Sequence, residues 1–423
     1  MKNAFSYRQG ELHCDGVPLR KLAAEFGTPL YVYSEAHIVG QYRALDRAFR
    51  GLDHLICYAM KANSTLAVLR ALAAEGAGFD IVSGGELYRV LQAGGDPGRC
   101  VFSSVGKTRD EIEYALRQGI HCFNVESEAE LKFLSDVAYR LGRRAPIAVR
   151  VNPHVDPDTH RYISTGKEES KFGISIERAL KVYRDATRLR GVEVRGVQMH
   201  IGSQITKTEP YVLAIRKMLP LVAQVQALAP QTLRSFDIGG GLGIRYKDQT
   251  PPTAAEFAAA VKPLLKPVGK RGLKILMEPG RFIVGNGGVL VTRVLFVKQT
   301  PVKKFVIIDG AMNDLIRPAL YESYHEIVPV RKSPRAKVKV DIVGPVCESG
   351  DFFAQGRTIA ATEAGELLAV LSAGAYGMAM ASNYNSRGRP AEVLVKGRRY
   401  AVVRRRETRK DLINGETLAG WQG

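Results

Sequence analysis

The sequence predicts an α/β chain: a (β/α)8 TIM barrel followed by an all-β domain of barrel or sandwich type. Three observations carry that prediction. Short apolar runs rich in β-formers alternate with segments of i, i+3, i+4 apolar spacing from Leu55 to Glu278. Glycines stand where the helical segments end, at Gly76, Gly94, Gly119, Gly142 and Gly191, the place where a left-handed residue closes a helix. Beyond Gly280 the helical spacing fades, and strand-like runs separated by turns take over.

Barrel strands are expected at Leu55–Met60, Phe79–Val82, Val101–Ser103, His121–Val125, Ile147–Val151, Gly196–Ile201, Phe236–Ile238 and Lys274–Glu278. Apolar spacing places helices at Leu66–Ala74, Leu87–Ala93, Glu111–Gln118, Glu128–Leu141 and Tyr211–Ala227. Such a strand count is what a closed barrel requires, although an open doubly wound sheet has the same alternation. Leu30–Tyr33 offers one further run. In the β segment, strands are expected at Phe282–Phe296, Lys303–Asp309, Ala336–Val343, Glu366–Ser372 and Glu392–Arg405. The expected boundaries are 30–280 for the barrel, with 1–29 and 281–423 in the β domain.

A chain that is 45% hydrophobic and 24% charged is neither disordered nor collagen-like. Its 61 Lys+Arg against 42 Asp+Glu give a net charge of +19, which raises nucleic acid, an anionic membrane or an acidic ligand as partners. A nucleic-acid binder needs a basic stripe with interleaved aromatics or a known module, and neither is visible. The basic runs Arg140–Arg144, Arg331–Lys339 and Arg398–Lys410 read as solvated faces. The N-terminal MKNAFSYRQGELHCDG lacks the apolar core of a signal peptide. The longest uncharged stretch, Leu367–Ser386, carries two Gly, three Ser and two Asn and reads as loop-rich, not membrane-spanning. Five scattered cysteines without a CxxC pair argue against a disulfide framework or a structural zinc site. A cytoplasmic protein without metal, membrane or nucleic-acid partner is the expectation.

Chemistry in such a barrel collects at the C-terminal ends of the strands. The first strand ends in Lys61, the second carries Asp80, the fifth runs into Asn152 and His154, and the sixth into His200–Gln204. The seventh ends in DIGGGLG (Asp237–Gly243) and the eighth in EPGR (Glu278–Arg281). Singly, each has a plain structural explanation: a solvated lysine, a flexible turn, a core histidine, a carboxylate ending a strand. As a set they suit pyridoxal phosphate. The lysine amine forms a Schiff base, and the glycine backbone makes a nest for the phosphate dianion. The carboxylate keeps the pyridine nitrogen protonated. DIGGGLG lacks the GxGxxG spacing of a dinucleotide site.

The motifs YAMKAN (Tyr58–Asn63), FDIVSGGEL (Phe79–Leu87), VNPHVDPDTHRYISTG (Val151–Gly166) and SKFGI (Ser170–Ile174) come first in a longer series. HIGSQ, DIGGGLG, EPGR, AMNDLIRPALY (Ala311–Tyr321), CESGD (Cys347–Asp351) and AGAYG (Ala373–Gly377) follow in order. With these the chain resembles the fold type III pyridoxal-phosphate decarboxylases, and specifically the diaminopimelate decarboxylases, over nearly its whole length. The resemblance implies an alanine racemase-like barrel with a C-terminal β domain, pyridoxal 5'-phosphate as cofactor and a homodimer with shared sites. It implies Lys61 as the Schiff-base lysine. Gly239, Gly240 and Gly241, with Glu278, Pro279, Gly280 and Arg281 and assisted by Ser203, become the phosphate loops. Glu278 becomes the contact of the pyridine nitrogen, and His200 the ring-face histidine. Asp80 and His154 become further cofactor contacts, and Tyr376 touches cofactor and substrate.

The implied reaction takes meso-2,6-diaminopimelate to L-lysine and CO2, with Cα reprotonated by Cys347 of the partner subunit. A buried, inert thiol is the ordinary state of a lone cysteine, but Glu348, Gly350 and Asp351 around Cys347 give its loop a polar character. Arg281 and Arg317 suit the distal carboxylate as bidentate donors, with Tyr321 adding a hydroxyl and Glu348 an acceptor for the distal ammonium. Carboxynorspermidine, ornithine and arginine decarboxylases are the alternatives within the fold type. The charged, Gly-containing segment between Val155 and Lys171 has a composition compatible with a lid.

Overall fold

The computed structural model describes residues 4–156 and 171–422. The segment of VNPHVDPDTHRYISTG from 157 onward, Ser170 of SKFGI and most of the expected lid lie outside the described residues. The chain divides into two compact units, one made of Val39–Ile283 and the other of Met1–Ile38 with Val284–Gly423.

Val39–Ile283 is a closed parallel barrel. Its strands run in order His54–Ala59, Gly78–Ile81, Cys100–Phe102, Cys122–Val125, Ala145–Asn152, Val192–Met199, Ser235–Asp237 and Lys274–Met277. Each pairs with the next in parallel, and Lys274–Met277 pairs back to His54–Ala59 through Ile275↔His54, so the sheet has no open edge. The open doubly wound alternative is thereby excluded. Inside, Leu55, Cys57, Val101, Cys122, Ala148 and Leu276 form one packed layer, as expected when alternate residues of each strand point inward.

The expected helices are present, and further ones were not anticipated, among them Glu35–Phe49, Ile176–Arg188 and Ala254–Lys270. Ile176–Arg188 buries Ala179, Val182, Tyr183 and Ala186. Ala254–Lys270 holds despite Pro263 and Pro267, because Thr253 and Glu256 close a capping box at its start and Phe257, Val261, Leu265 and Val268 bury one face.

In the other unit, the β segment differs from its expected strands in several places. Arg281–Val284 is a helical turn, and the strand begins only at Gly288, running to Gln299. The Ile283 N–H bonds back to the Gly280 carbonyl at 3.0 Å, which curls the chain before it extends. Glu392–Arg405 is not one strand but a hairpin of Ala391–Lys396 and Arg399–Arg404, turning at Gly397 (φ 64°). Phe352–Ala360, which pairs with Lys337–Val343, was not anticipated. Leu30–Ser34 belongs to this sheet: it pairs antiparallel with Gly288–Val291 and parallel with Ala391–Val395. The expected barrel start at residue 30 is corrected accordingly. Leu12, Cys14, Val17, Leu22, Leu30, Val32, Val289, Val291 and Val393 share its core.

Among the described residues no helix is long and apolar enough to cross a membrane, and no cluster of His, Cys, Asp or Glu could hold a metal ion.

Candidate active site

The barrel's strands set the site from the inside outward. Lys61 sits in the short 3-10 turn Met60–Ala62 that ends the first strand. Its neighbour in register is the second strand, where Ala59 pairs with Asp80. Lys61 Nζ consequently reaches Asp80 Oδ2 at 2.5 Å. The lysine side chain remains 40% exposed while Asp80 is wholly buried, so the ammonium is anchored from below and reachable from the rim. Asp80 Oδ1 is buried without a partner, a polar atom in place for a bound group. Ser83 has a local task, accepting the Glu86 N–H at 3.2 Å as cap of the next helix.

The glycines of DIGGGLG are demanded by packing. Gly239 (φ 71°) and Gly241 (φ 99°) adopt left-handed backbone. A Cβ on Gly240 would collide with the Glu278 carbonyl, one on Gly239 with that of Met199, and one on Gly241 with that of Gly202. The three turns of His200–Ser203, Gly239–Gly241 and Glu278–Arg281 therefore interlock. The Gly240 N–H donates to His200 Nδ1 at 3.2 Å, and the Glu278 N–H donates to the Gly239 carbonyl at 2.9 Å. Across the first strand, the Ala59 N–H donates to the Pro279 carbonyl at 3.1 Å, and a Cβ on Gly280 would press on Ala59 and Ala62. Arg281, almost fully buried, donates through Nη2 to Ser203 Oγ at 3.1 Å and through Nη1 to the Tyr246 hydroxyl at 2.6 Å. A cationic fork, a serine hydroxyl and a glycine cradle suit a phosphate dianion.

Burial and the neighbouring Arg150 and Lys61 cations push the His200 imidazole well below its usual range, so the ring is neutral. Nδ1 must be its bare nitrogen, because it accepts from Gly240. Glu278 is buried, and each of its oxygens accepts an amide N–H at 3.0 Å, one from Asn124 Nδ2 and one from Gln198 Nε2. Asp237 lies beside it, with Oδ1 accepting the Gly239 N–H at 2.8 Å and Oδ2 unpartnered. Burial pushes both carboxyls up, Asp237 to about 7, with repulsion from Asp80 on both and from Asp237 on Glu278, so near neutrality the pair holds a shared proton. A ring cation set against Glu278 would relieve that repulsion. The residues present thus fit pyridoxal phosphate.

His154 Nε2 lies 3.3 Å from Glu177 Oε2, on the helix after the fifth strand. Asn124, Gln198, Asp237 and Tyr246 were not singled out from the sequence. A signal was there for the first three, since each is a polar residue set next to apolar ones in a strand, in CFNV, GVQM and SFDI.

Five further expected residues lie in the β unit. Arg317 is buried, with Nη1 donating to His325 Nε2 at 2.8 Å and Nη2 to Ser323 Oγ at 3.2 Å. His325, fully buried, donates from Nδ1 to the Leu371 carbonyl at 2.8 Å, which fixes its tautomer and leaves Nε2 as the acceptor for Arg317. Tyr321 ends the same short helix, Arg317–Tyr321. Cys347 is exposed, and its backbone N–H donates to Asn385 Oδ1 at 2.9 Å. Glu348 accepts the Gly350 N–H at 3.3 Å. The buried Asp351 accepts the Met312 and Val346 N–H groups, both at 2.7 Å, and so ties CESGD to AMNDLIRPALY. Tyr376 has φ 56° in the AGAYG turn.

Residues 35–285 match the family model of the pyridoxal-dependent decarboxylase, pyridoxal binding domain. The diaminopimelate decarboxylase of Pseudomonas aeruginosa is 54% identical over 98% of this chain and 99% of its own. Among solved structures, diaminopimelate decarboxylase from M. jannaschii in co-complex with L-lysine superposes with a TM-score of 0.92 at 39% identity, covering 98% of both chains. That from Helicobacter pylori complexed with L-lysine gives 0.89 at 40% identity, covering 94% of this chain and 98% of that one.

Proposed function

Because the chain belongs to the pyridoxal-dependent decarboxylases and, among them, to the diaminopimelate decarboxylases, we propose that it removes CO2 from meso-2,6-diaminopimelate to leave L-lysine, at a site on the barrel rim. The observation that carries this reading is Lys61 Nζ held at 2.5 Å by the buried Asp80, on a rim that also bears a glycine cradle and an amide-bound Glu278.

Pyridoxal 5'-phosphate, when bound, supplies an electron sink for the bond to the departing carboxylate. Lys61 is the amine that carries it, and Asp80 orients that amine. Gly239, Gly240 and Gly241, with Ser203, Pro279, Gly280 and Arg281, hold the phosphate. His200 presents a neutral imidazole to the ring face, which adds no charge that would compete with the ring. Glu278 faces the ring nitrogen as the anion that favours its protonation. His154 and Tyr376 complete the contacts.

Substrate selection rests on the far end of the molecule. Arg317 and Arg281 take the distal carboxylate, Tyr321 adds a hydroxyl, and Glu348 accepts from the distal ammonium. The buried bonds from Arg317 to His325 and Ser323 support this, because a guanidinium fixed beforehand loses less freedom on binding. Cys347 of the partner subunit delivers a proton to Cα once CO2 has left, so that the working unit is a homodimer. The exposure of the Cys347 side chain is consistent with a thiol presented outward.

CO2 release from meso-diaminopimelate, LL-diaminopimelate, ornithine, arginine and lysine tests the reading. Preference for the meso isomer, with L-lysine as product, is expected. Preference for ornithine would overturn the substrate assignment while leaving the cofactor assignment standing.

A further inference from the structure

Glu278 is surrounded by groups that ought to neutralise it. It is buried, it adjoins Asp237, and Asp80 lies within electrostatic reach. A neutral carboxyl would be useless as the partner of a ring cation. Two amides alter that balance. Asn124 Nδ2 donates to Oε1 and Gln198 Nε2 to Oε2, each at 3.0 Å, from the fourth and sixth strands. Asp237, by contrast, receives the Gly239 N–H on Oδ1 and nothing on Oδ2. Of the two carboxyls, Glu278 is therefore the one solvated as an anion, and Asp237 Oδ2 is where the shared proton fits.

The amides are themselves fixed. Asn124 Nδ2 also donates to Ser103 Oγ at 3.1 Å, and its backbone carbonyl accepts from the buried Lys107 Nζ at 2.8 Å. Gln198 leaves its own Oε1 buried and unpartnered while Nε2 faces the carboxylate. Flipping that amide would turn an oxygen onto the anion, so the carboxylate dictates its orientation.

We propose that Asn124 and Gln198 are positioning residues that hold Glu278 ionised and in one orientation for its contact with the ring nitrogen of the cofactor. The inference rests on the Glu278 role given under the proposed function, and its test separates the two. Apoprotein is loaded with pyridoxal phosphate labelled with 15N in the ring, and the ring-nitrogen shift is followed with pH. Wild type, Gln198→Met and the double variant Asn124→Leu with Gln198→Met are compared. The wild-type nitrogen is expected to be protonated at neutral pH, with the midpoint in the double variant lower by about one pH unit, a tenfold change in the equilibrium. kcat is expected to fall roughly 10-fold to 100-fold with KM little changed, the range for losing bonds to a charged group. An unchanged midpoint in the variants overturns the positioning role alone. A wild-type nitrogen that is unprotonated overturns the Glu278 contact and the inference with it. If the double variant fails to fold, the nearly isosteric Gln198→Met decides alone, with a shift in the same direction expected and none contradicting the proposal.

Discussion

Arg317 joins sequence, packing and the proposed specificity at the scale of one side chain. Pro318 beside it fits the first turn of the short helix, and burial with His325 and Ser323 gives the guanidinium two fixed bonds. Lysine in its place keeps the charge but loses the fork. Arg317→Lys is therefore expected to raise KM for meso-diaminopimelate by roughly 10-fold or more, with a smaller effect on kcat. Steady-state kinetics check this, and an unchanged KM would remove Arg317 from the substrate contacts. The sequence made Arg317 visible through its motif. His325 was not visible, because a buried histidine that only braces an arginine carries no local signature. Asn124, Gln198 and Asp237 were legible in principle as polar residues set next to apolar ones in strands, and what hid them was that pairing through the barrel interior depends on register.

Single elements show how loops are pinned by buried carboxyls. Asp314 caps its own turn: Oδ2 accepts the Ala311 N–H at 2.9 Å and Oδ1 the Asn313 amide at 3.1 Å. Burial pushes its carboxyl up to about 7. A carboxyl raised on folding binds its proton more tightly in the native state. Its contribution is thus whole below the ordinary carboxylate range near ~4 and is lost as pH rises through about 7. Asp314→Asn is expected to lose less stability than wild type between those limits, by at most about 1.4 kcal/mol per pH unit. Denaturant unfolding at several pH values measures it, and parallel profiles would contradict it. Elements were legible from period and punctuation where these were strong, as in Glu128–Arg140. The break Lys396–Arg399 (KGRR), with Gly397 as its turn residue, marked the hairpin inside the expected run Glu392–Arg405, and reading the apolar runs on either side as one strand passed over it. In Ala254–Lys270, tertiary burial sustains a helix that Pro263 and Pro267 would end in isolation.

For the whole molecule, alternation gave the number of barrel strands but not closure, since parallel pairing of the first and last strands leaves no local trace. Leu30–Ser34 shows the same limit in reverse: its composition fits either sheet, and only pairing with Gly288–Val291 assigns it. The net charge of +19 comes from 61 Lys+Arg against 42 Asp+Glu. Lys61, Arg281 and Arg317 are the basic residues given chemical tasks, for one phosphate and one dicarboxylate. The proposed sharing of sites between subunits has a direct consequence. Mixed Lys61→Ala and Cys347→Ala chains, inactive apart, are expected to regain part of the CO2-releasing activity after subunit exchange, and no recovery would argue for self-contained sites. The central claim is that this rim holds pyridoxal phosphate through Lys61. Borohydride reduction of the holoenzyme fixes the cofactor to the amine that carries it, and peptide mass spectrometry then locates that amine. The added mass is expected on the peptide containing Lys61, and its appearance on any other lysine, or on none, would contradict the account.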